Sequence, residues 1–209
     1  MDIKNFFKFG SKLVSSSIYA PPQGLRIPIK DDIDDAYNLI KGDYSGINFP
    51  VVFKEGSYGG KKIQDIIDTT SVSLYLISDK LKNILIENSF TGWKIYPVRL
   101  FDRKENEIMG YSGFSVTGRC DVKIKYRKDS IVEKQLAPNA PISRFYKGQN
   151  IDFTKWDGSD FFITKDNIGF IITEKVKEIL LKHKLTNIRV RNIKDIEVSD
   201  FNIKEEDLI

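Results

Sequence analysis

One segment of this sequence occurs twice, and the repetition restricts the folds that are open to the chain. Residues 77–95 read ISDKLKNILIENSFTGWKI and residues 172–190 read ITEKVKEILLKHKLTNIRV. The two segments align without a gap at an offset of 95 residues, and six of the 19 aligned positions are identical. The repeat therefore predicts a fold in which the same local structure forms at two places.

Each copy is predicted to contain a helix. Ser78 in the first copy and Thr173 in the second are residue types that cap a helix by accepting a bond from a backbone N–H. The acidic residue that follows each cap, Asp79 or Glu174, complements the positive end of the helix dipole. Apolar residues then recur at the helical spacing i, i+3, i+4, namely Leu81, Ile84 and Leu85, and Val176, Ile179 and Leu180. Each copy thus predicts an amphipathic helix.

The residues after each helix predict a turn and a strand. Gly92 and Asn187 occupy equivalent places, and both tolerate the left-handed conformation that ends helices. Alternating apolar and basic residues follow, as is typical of strands. We therefore predict an α+β protein with mixed or antiparallel sheets, a few helices and two related strand-helix-turn-strand units. The 209 residues form either one domain or two lobes, 1–100 and 101–209, with one copy of the unit in each.

Composition limits the chemistry that the chain can carry. The net charge of +4 is the small difference between 33 basic and 29 acidic residues, which is not the charge pattern of a dedicated nucleic-acid-binding protein. One cysteine, Cys120, excludes an internal disulfide, and one histidine, His183, excludes a multi-histidine metal site within the chain. We expect no cofactor and no metal.

Hydrophobic patterning predicts a cytoplasmic protein with no membrane partner. Lys4, Lys8 and Lys12 interrupt the apolar residues at the start of the sequence, unlike the apolar core of a signal peptide. No run approaches the roughly 20 apolar residues of a transmembrane helix.

Two local clusters suggest chemistry but have simpler explanations. Asp31, Asp32, Asp34 and Asp35 form an acidic group that we interpret as a helix N-terminus, with the helix closed by Gly42. The segment 56–62, GSYGGKK, lacks the spacing and the final Ser or Thr of a phosphate-binding loop, so it is predicted to be an ordinary loop.

The second copy and the residues before it resemble a known family. Gly158 to Phe162 reads GSDFF, and it precedes a strand, the helix sequence TEKVKEILLK and the strand sequence LTNIRV. This arrangement is similar to immunity proteins of bacterial polymorphic toxin systems, the Myxococcus-type immunity family formerly listed as a domain of unknown function. The resemblance covers residues 151–198, and residues 63–98 contain the first copy of the same repeat. It implies a cytoplasmic protein that neutralises a cognate protein toxin by binding, and it carries over no catalytic residues.

A binding protein of this kind needs a surface with a few aromatic and charged residues that dominate the affinity. We predict that the partner-binding residues are Trp156, Asp157, Asp160, Phe161, Arg144 and Tyr146, the last two in a loop spanning 136–149. Alternative interpretations are core packing for the Trp156 and Phe161 rings and turn capping for the two aspartates.

The sequence is compatible with two other classes of function. Nucleic-acid binding would use basic rows on the two repeat strands with Trp93 and Tyr96 stacking on bases; the basic residues are Lys94, Arg99, Arg189, Arg191 and Lys194. A carboxylate-dependent hydrolase is the other class, although the sequence lacks the usual metalloprotease, hydrolase, dinucleotide-binding and kinase motifs. We expect no enzyme activity.

Overall fold

A computed structural model describes residues 5–26, 34–69, 71–165 and 167–209. Within these ranges the helices are α1 (Asp35–Lys41), α2 (Asp79–Glu87) and α3 (Glu174–Lys182). The strands are β1 (Phe6–Ser11), β2 (Pro22–Gln23), β3 (Val51–Lys54), β4 (Ile66–Asp68), β5 (Tyr75–Ser78), β6 (Trp93–Tyr96), β7 (Val98–Phe101), β8 (Tyr111–Val116), β9 (Gly118–Cys120), β10 (Ile131–Gln135), β11 (Ile142–Lys147), β12 (Phe161–Thr164), β13 (Phe170–Thr173), β14 (Ile188–Asn192) and β15 (Glu197–Ser199). The α+β prediction is confirmed.

The strands form four sheets in the described chain. Two of them carry the repeat, a four-stranded sheet in the order β4-β5-β8-β6 and a five-stranded sheet in the order β14-β1-β13-β12-β9. Two three-stranded sheets, β10-β11-β15 and β2-β3-β7, flank them. Antiparallel pairs dominate, and β9 with β12 and β3 with β7 are parallel pairs, so the sheets are mixed as predicted.

Both predicted helices form at equivalent places in the repeat, but they are capped differently. The Ser78 hydroxyl accepts a hydrogen bond from the backbone N–H of Leu81 at 3.2 Å. Thr173 makes no capping bond, and its hydroxyl donates instead to Asp160. Gly92 and Asn187 have the predicted left-handed conformation, with φ angles of 81° and 57°.

The duplicated unit is larger than the aligned sequence. β4 precedes β5 as β12 precedes β13, and each pair is antiparallel. In each unit an antiparallel strand lies between the strand before the helix and the strand after it. This central strand is β8 in the four-stranded sheet and β1 in the five-stranded sheet. β8 follows its unit in sequence, whereas β1 lies near the start of the chain. Each half of the chain therefore supplies a strand to the sheet of the other half.

The two units are joined by a reciprocal pair of carboxylate contacts. Asp65 accepts hydrogen bonds from the Ser78 hydroxyl of its own unit and from the backbone N–H and hydroxyl of Thr186 in the other unit. Asp160, at the equivalent place in the second unit, accepts from the Thr173 hydroxyl of its own unit and from Thr91 of the first. We call these the Asp65 junction and the Asp160 junction.

The main hydrophobic core contains residues of both units. Phe161 and Ile163 of β12 belong to this core, whereas Phe162 between them belongs to a second, smaller cluster. Because side chains alternate along a strand, β12 is buried on both of its faces. The β10-β11-β15 sheet contributes Tyr146 and Val198 to the second cluster.

The predicted start and end of helix α1 are confirmed. Asp34 caps α1 by accepting from the backbone N–H of Tyr37, and Gly42 ends the helix with a φ of 76°. Asp31 and Asp32 lie outside the described residues. In the part of the chain that the structure describes, every helix is too short or too polar to cross a membrane.

Candidate partner-binding surface

Trp156 and Asp157, two of the predicted partner-binding residues, have structural roles. The Trp156 ring is half-buried and packs edge-on against Phe6, at 5.3 Å between centroids. The Asp157 carboxylate is exposed, but it accepts hydrogen bonds from the backbone N–H groups of Arg119 and Ser159. These contacts match the alternative interpretations, core packing for the ring and turn capping for the carboxylate.

Phe161 and Asp160 are also structural. The Phe161 ring has 0% exposure and lies in the main core, so its prediction as a surface contact is corrected to a core residue. The Asp160 carboxylate is engaged at its junction with Thr91 and Thr173. Trp156 packs on the second cluster, on the other side of the five-stranded sheet from Phe161, so these residues do not form one surface.

Arg144 and Tyr146 lie on a strand, and the prediction of a loop over residues 136–149 is wrong. The prolines of this segment, Pro138 and Pro141, fall outside strands β10 and β11, which pair as a hairpin around them. Arg144 is exposed and forms an ion pair with Glu133 directly across the hairpin at 2.9 Å. The Tyr146 ring is half-buried and packs on the second cluster.

Of the two aromatic residues predicted to stack on bases, Tyr96 is buried. Tyr96 has 1% exposure, so its ring cannot stack on a base at the surface. Trp93 is half-buried, and its indole N–H donates to the backbone carbonyl of Phe90. The predicted basic residues do not form common rows, because Lys94 lies on β6, Arg99 on β7 and Arg189 and Arg191 on β14, which belong to three different sheets.

A groove near the end of β1 is bordered by exposed apolar and aromatic side chains. Its volume is about 360 Å³, and Tyr58 and Leu13 on its rim are 82% and 72% exposed. We call it the Tyr58 groove; it is lined by Leu13, Val14, Ser15, Ser17, Ile18, Tyr19, Tyr58, Gly59 and Asp68. The sequence does not predict this groove, because no periodic pattern distinguishes an exposed apolar residue in a loop from one that folds inward.

The walls of the groove are two irregular segments held together by backbone hydrogen bonds. The N–H of Gly60 donates to the carbonyl of Ser17, and the N–H of Lys62 donates to that of Ser16. The N–H of Ile18 donates back to the carbonyl of Lys62. Residues 56–62 therefore form a loop, as predicted, and its backbone position is fixed against residues 16–19.

The floor of the groove is a hydrogen-bonded carboxylate. Asp68 is 8% exposed and accepts hydrogen bonds from the Ser11 hydroxyl and from the side-chain amide of Asn187 at 3.2 Å. The same amide donates to the carbonyl of Ile66 at 2.9 Å. Asn187 belongs to the second unit and Asp68 to the first, so the groove lies where the two units meet.

Gly60 is required for the close approach of the two walls, since a Cβ atom at this position would overlap the backbone carbonyl of Ser16. We expect Gly60→Ala to lower the free energy of unfolding by about 1–3 kcal/mol, the usual cost of overpacking. Urea denaturation followed by circular dichroism measures it. Ser57→Ala, an exposed change in the same loop, is the control and should stay within about 0.5 kcal/mol of the unchanged protein. Equal stability of both variants would contradict the packing that we describe.

Cys120 is a buried free thiol whose surroundings suppress its ionisation. Burial raises the pKa of the Cys120 thiol to about 11, with further contributions from Asp152, Asp157 and Asp121, so the reactive thiolate is scarce at neutral pH. Among the residues described, no group of three or more His, Cys, Asp or Glu side chains is placed to hold a metal ion.

Comparison of the chain with protein-family models and with curated protein sequences found no match.

Proposed function

We propose that this protein binds and neutralises a cognate bacterial protein toxin, and that the Tyr58 groove is part of the surface that contacts the toxin. The observation that carries the proposal is the exposure of several apolar side chains around one groove, because clustered apolar surface on a folded protein is typical of protein-binding sites. The resemblance of residues 151–198 to immunity proteins supports the choice of a toxin as the partner. The proposal places the protein in the cytoplasm.

The chemistry of the groove suggests what the partner presents. Tyr58 offers a large aromatic ring with a polar tip, a side chain that is frequent among residues that dominate binding energy. Lys12 directly precedes Leu13, and Lys62 ends the loop that carries Tyr58; both lysines are exposed, and neither forms an ion pair within the described ranges. We therefore expect an apolar projection on the toxin that is surrounded by acidic residues.

The mechanism that fits a preformed groove is occlusion. The hydrogen bonds at the floor and walls fix the groove before the partner arrives, so little conformational entropy is lost on binding. A toxin held there would be covered at its active site or along the path of its substrate. No chemical step by the immunity protein is needed.

The test has two steps, which are copurification to identify the partner and coexpression in cells to measure neutralisation. Proteins that copurify with this chain from its source cells are identified by mass spectrometry, and each candidate is then expressed with and without this protein. We expect one partner whose toxicity is suppressed by coexpression. Copurifying proteins that are harmless to cells, or toxicity that coexpression leaves unchanged, would contradict the proposal.

Tyr58→Ala tests the place of binding. We expect it to weaken affinity for the toxin at least about tenfold, which corresponds to about 1.4 kcal/mol, because it removes the largest exposed ring at the groove. Leu181→Ala is the control, since Leu181 on α3 is 62% exposed and does not line the groove. Isothermal titration calorimetry measures both variants. Equal loss of affinity in the two variants would place the contact elsewhere. Arg144→Ala, measured in the same way, would do so if it alone weakened binding.

A further inference from the structure

Strand β14 lies at the edge of the five-stranded sheet, with β1 as its neighbour on the inner side. Just before β14, the carbonyl of Asn187 accepts a hydrogen bond from the backbone N–H of Lys12. Hydrogen-bonded pairs alternate along an antiparallel ladder, so the backbone N–H and C=O groups of Ile188 and Val190 point away from β1. These outward groups form no backbone hydrogen bond with the residues that the structure describes. The edge therefore has a free row of donors and acceptors.

The equivalent edge in the first unit is covered by the chain itself. Strand β6 is an edge strand of the four-stranded sheet, and its Ile95 aligns with Val190 in the repeat. The carbonyl of Ile95 accepts a hydrogen bond of 3.4 Å from the Tyr44 hydroxyl, and the Tyr44 ring packs on Phe49. No described residue bonds to the carbonyl of Val190 in this way. Of the two equivalent edges, the one at β14 is left open.

Arg189 and Arg191 place two positive charges along this open edge. Both side chains are exposed, both lie on one face of the sheet because side chains alternate, and neither forms an ion pair with a described residue. Lys8 of β1 lies directly opposite Arg191 and faces the same side. Burial and repulsion from Arg191 lower the pKa of Lys8 to about 8, as expected for two cations held close together.

The carboxylate that acts on this edge is already paired with a lysine. Glu197 is the one acidic group that raises the pKa of Arg191, and burial and repulsion from Arg189 outweigh it, so the pKa of Arg191 is lowered. Glu197 itself forms an ion pair with Lys134 at 2.5 Å. The edge therefore keeps an excess of positive charge that an acidic partner would neutralise.

The same charges argue against pairing of β14 with a second copy of this chain. An antiparallel pair centred on Val190 would place Arg189 of each copy directly opposite Arg191 of the other. Like charges that are directly opposite destabilise a sheet, and charged residues on edge strands commonly prevent self-association in this way. A strand with acidic residues at the two places would instead form cross-strand ion pairs.

We propose that β14 accepts an extended acidic segment of the partner protein as a sixth, antiparallel strand of the sheet. Acidic residues of the segment lie opposite Arg189 and Arg191. Its apolar residues alternate with them and lie opposite Ile188 and Val190. Main-chain hydrogen bonds supply affinity and the alternating side chains supply specificity. The edge begins beside Asn187, whose amide bonds to the floor of the Tyr58 groove, so one partner reaches both; the inference rests on the proposed protein-binding function.

The probe that tests the proposal is a fluorescein-labelled octapeptide in which glutamate and valine alternate. Its binding to the full-length protein is measured by fluorescence anisotropy. We expect saturable binding, at least about tenfold tighter than that of the same peptide with lysine in place of every glutamate. Absence of saturable binding by the glutamate peptide, or equal binding of the two peptides, would overturn the proposal.

Methylation of the peptide backbone separates strand addition from attraction between charges. In the antiparallel arrangement the valines lie opposite Ile188 and Val190, so their N–H groups donate to β14, whereas those of the glutamates point away. N-methylation of the valines should weaken binding at least about tenfold, because it removes several hydrogen bonds. N-methylation of the glutamates is the matched control and should change the affinity less than about twofold. Equal binding of the two methylated peptides, or the reverse order, would contradict the proposed pairing.

Charge reversal on β14 tests the same site from the side of the protein. The double variant Arg189→Glu, Arg191→Glu should bind the lysine peptide more tightly than the glutamate peptide. Both side chains are exposed, so the substitutions remove no core packing. Lys104→Glu with Lys155→Glu is the matched control, because it changes the net charge equally at exposed residues outside β14. The same effect in both double variants would mean that the peptide responds to net charge alone, and the assignment would be wrong.

Failure of this inference is distinguishable from failure of the proposed function. The peptide experiments contain no toxin and test β14 alone, whereas the coexpression experiment tests neutralisation whichever surface binds the toxin. A DNA oligonucleotide that binds through Arg189 and Arg191 where the glutamate peptide does not would overturn the inference and favour the nucleic-acid alternative.

Discussion

Phe161→Ala is expected to lower the free energy of unfolding by about 3–5 kcal/mol, the usual cost of truncating a buried phenylalanine. The ring has 0% exposure and lies edge-on to Phe9 of β1 at 5.8 Å and to Phe114 of β8 at 5.6 Å. These are the strands that each half of the chain supplies to the other. The cavity left by the ring would therefore weaken the packing between the five-stranded and the four-stranded sheet.

Chemical denaturation with urea measures this effect, with the slope of the transition compared between variants to confirm two-state unfolding. Phe201→Ala is the matched control, because Phe201 is 91% exposed and should change stability by less than about 0.5 kcal/mol. A small effect of Phe161→Ala together with lost toxin binding would restore Phe161 to the partner-binding surface.

Asp65→Ala is expected to cost about 3 kcal/mol, because it removes a carboxylate that accepts three hydrogen bonds and leaves their donors without a partner. Burial alone would raise the pKa of Asp65, but the hydrogen bonds from Thr186 and Ser78 outweigh it and hold the pKa below its usual value. A carboxyl group with a lowered pKa stabilises the fold above the pKa of the unfolded chain, about 3.9. That contribution is lost as the pH falls through the pKa of the folded state.

The measurement is the stability of the unchanged protein and of Asp65→Ala at several pH values between neutrality and about pH 3. The difference between the two should shrink as the pH drops below about 4. Asp129→Ala is the control, since Asp129 is exposed and its loss at neutral pH should be small. A difference that is independent of pH would mean that the charge of Asp65 does not contribute to the junction.

The sequence predicted the parts of the fold that depend on local chemistry. Both helices and the left-handed conformations of Gly92 and Asn187 follow from the residue types in the repeat. Thr173 shows the limit of this reasoning, because a threonine in a capping position bonds to Asp160 instead. A local pattern cannot indicate a competing partner that tertiary structure brings close.

The pairing of distant segments could not be predicted. Asp65 and Asp160 each lie 12 residues before an aligned segment, and their shared role becomes visible only when each is seen to hold a threonine of the other unit. The strand at Ile142–Lys147 was hidden by its flanking proline, which the turn between β10 and β11 accommodates. The Tyr58 groove depends on loop packing, which has no periodicity to detect.

The position of β1 near the start of the sequence determines the order in which the protein can fold. The four-stranded sheet is complete within residues 66–116, whereas β1 must pair with β13 and β14. The Lys8 ammonium, for example, donates to the carbonyl of Gly169, 161 residues away. During synthesis the phenylalanines of β1 are made well before their partners in β13 and β14, and contacts so distant in sequence form slowly. Until β13 and β14 have been made, β1 is an apolar strand without its two neighbours, and such an unpaired strand is exposed to aggregation.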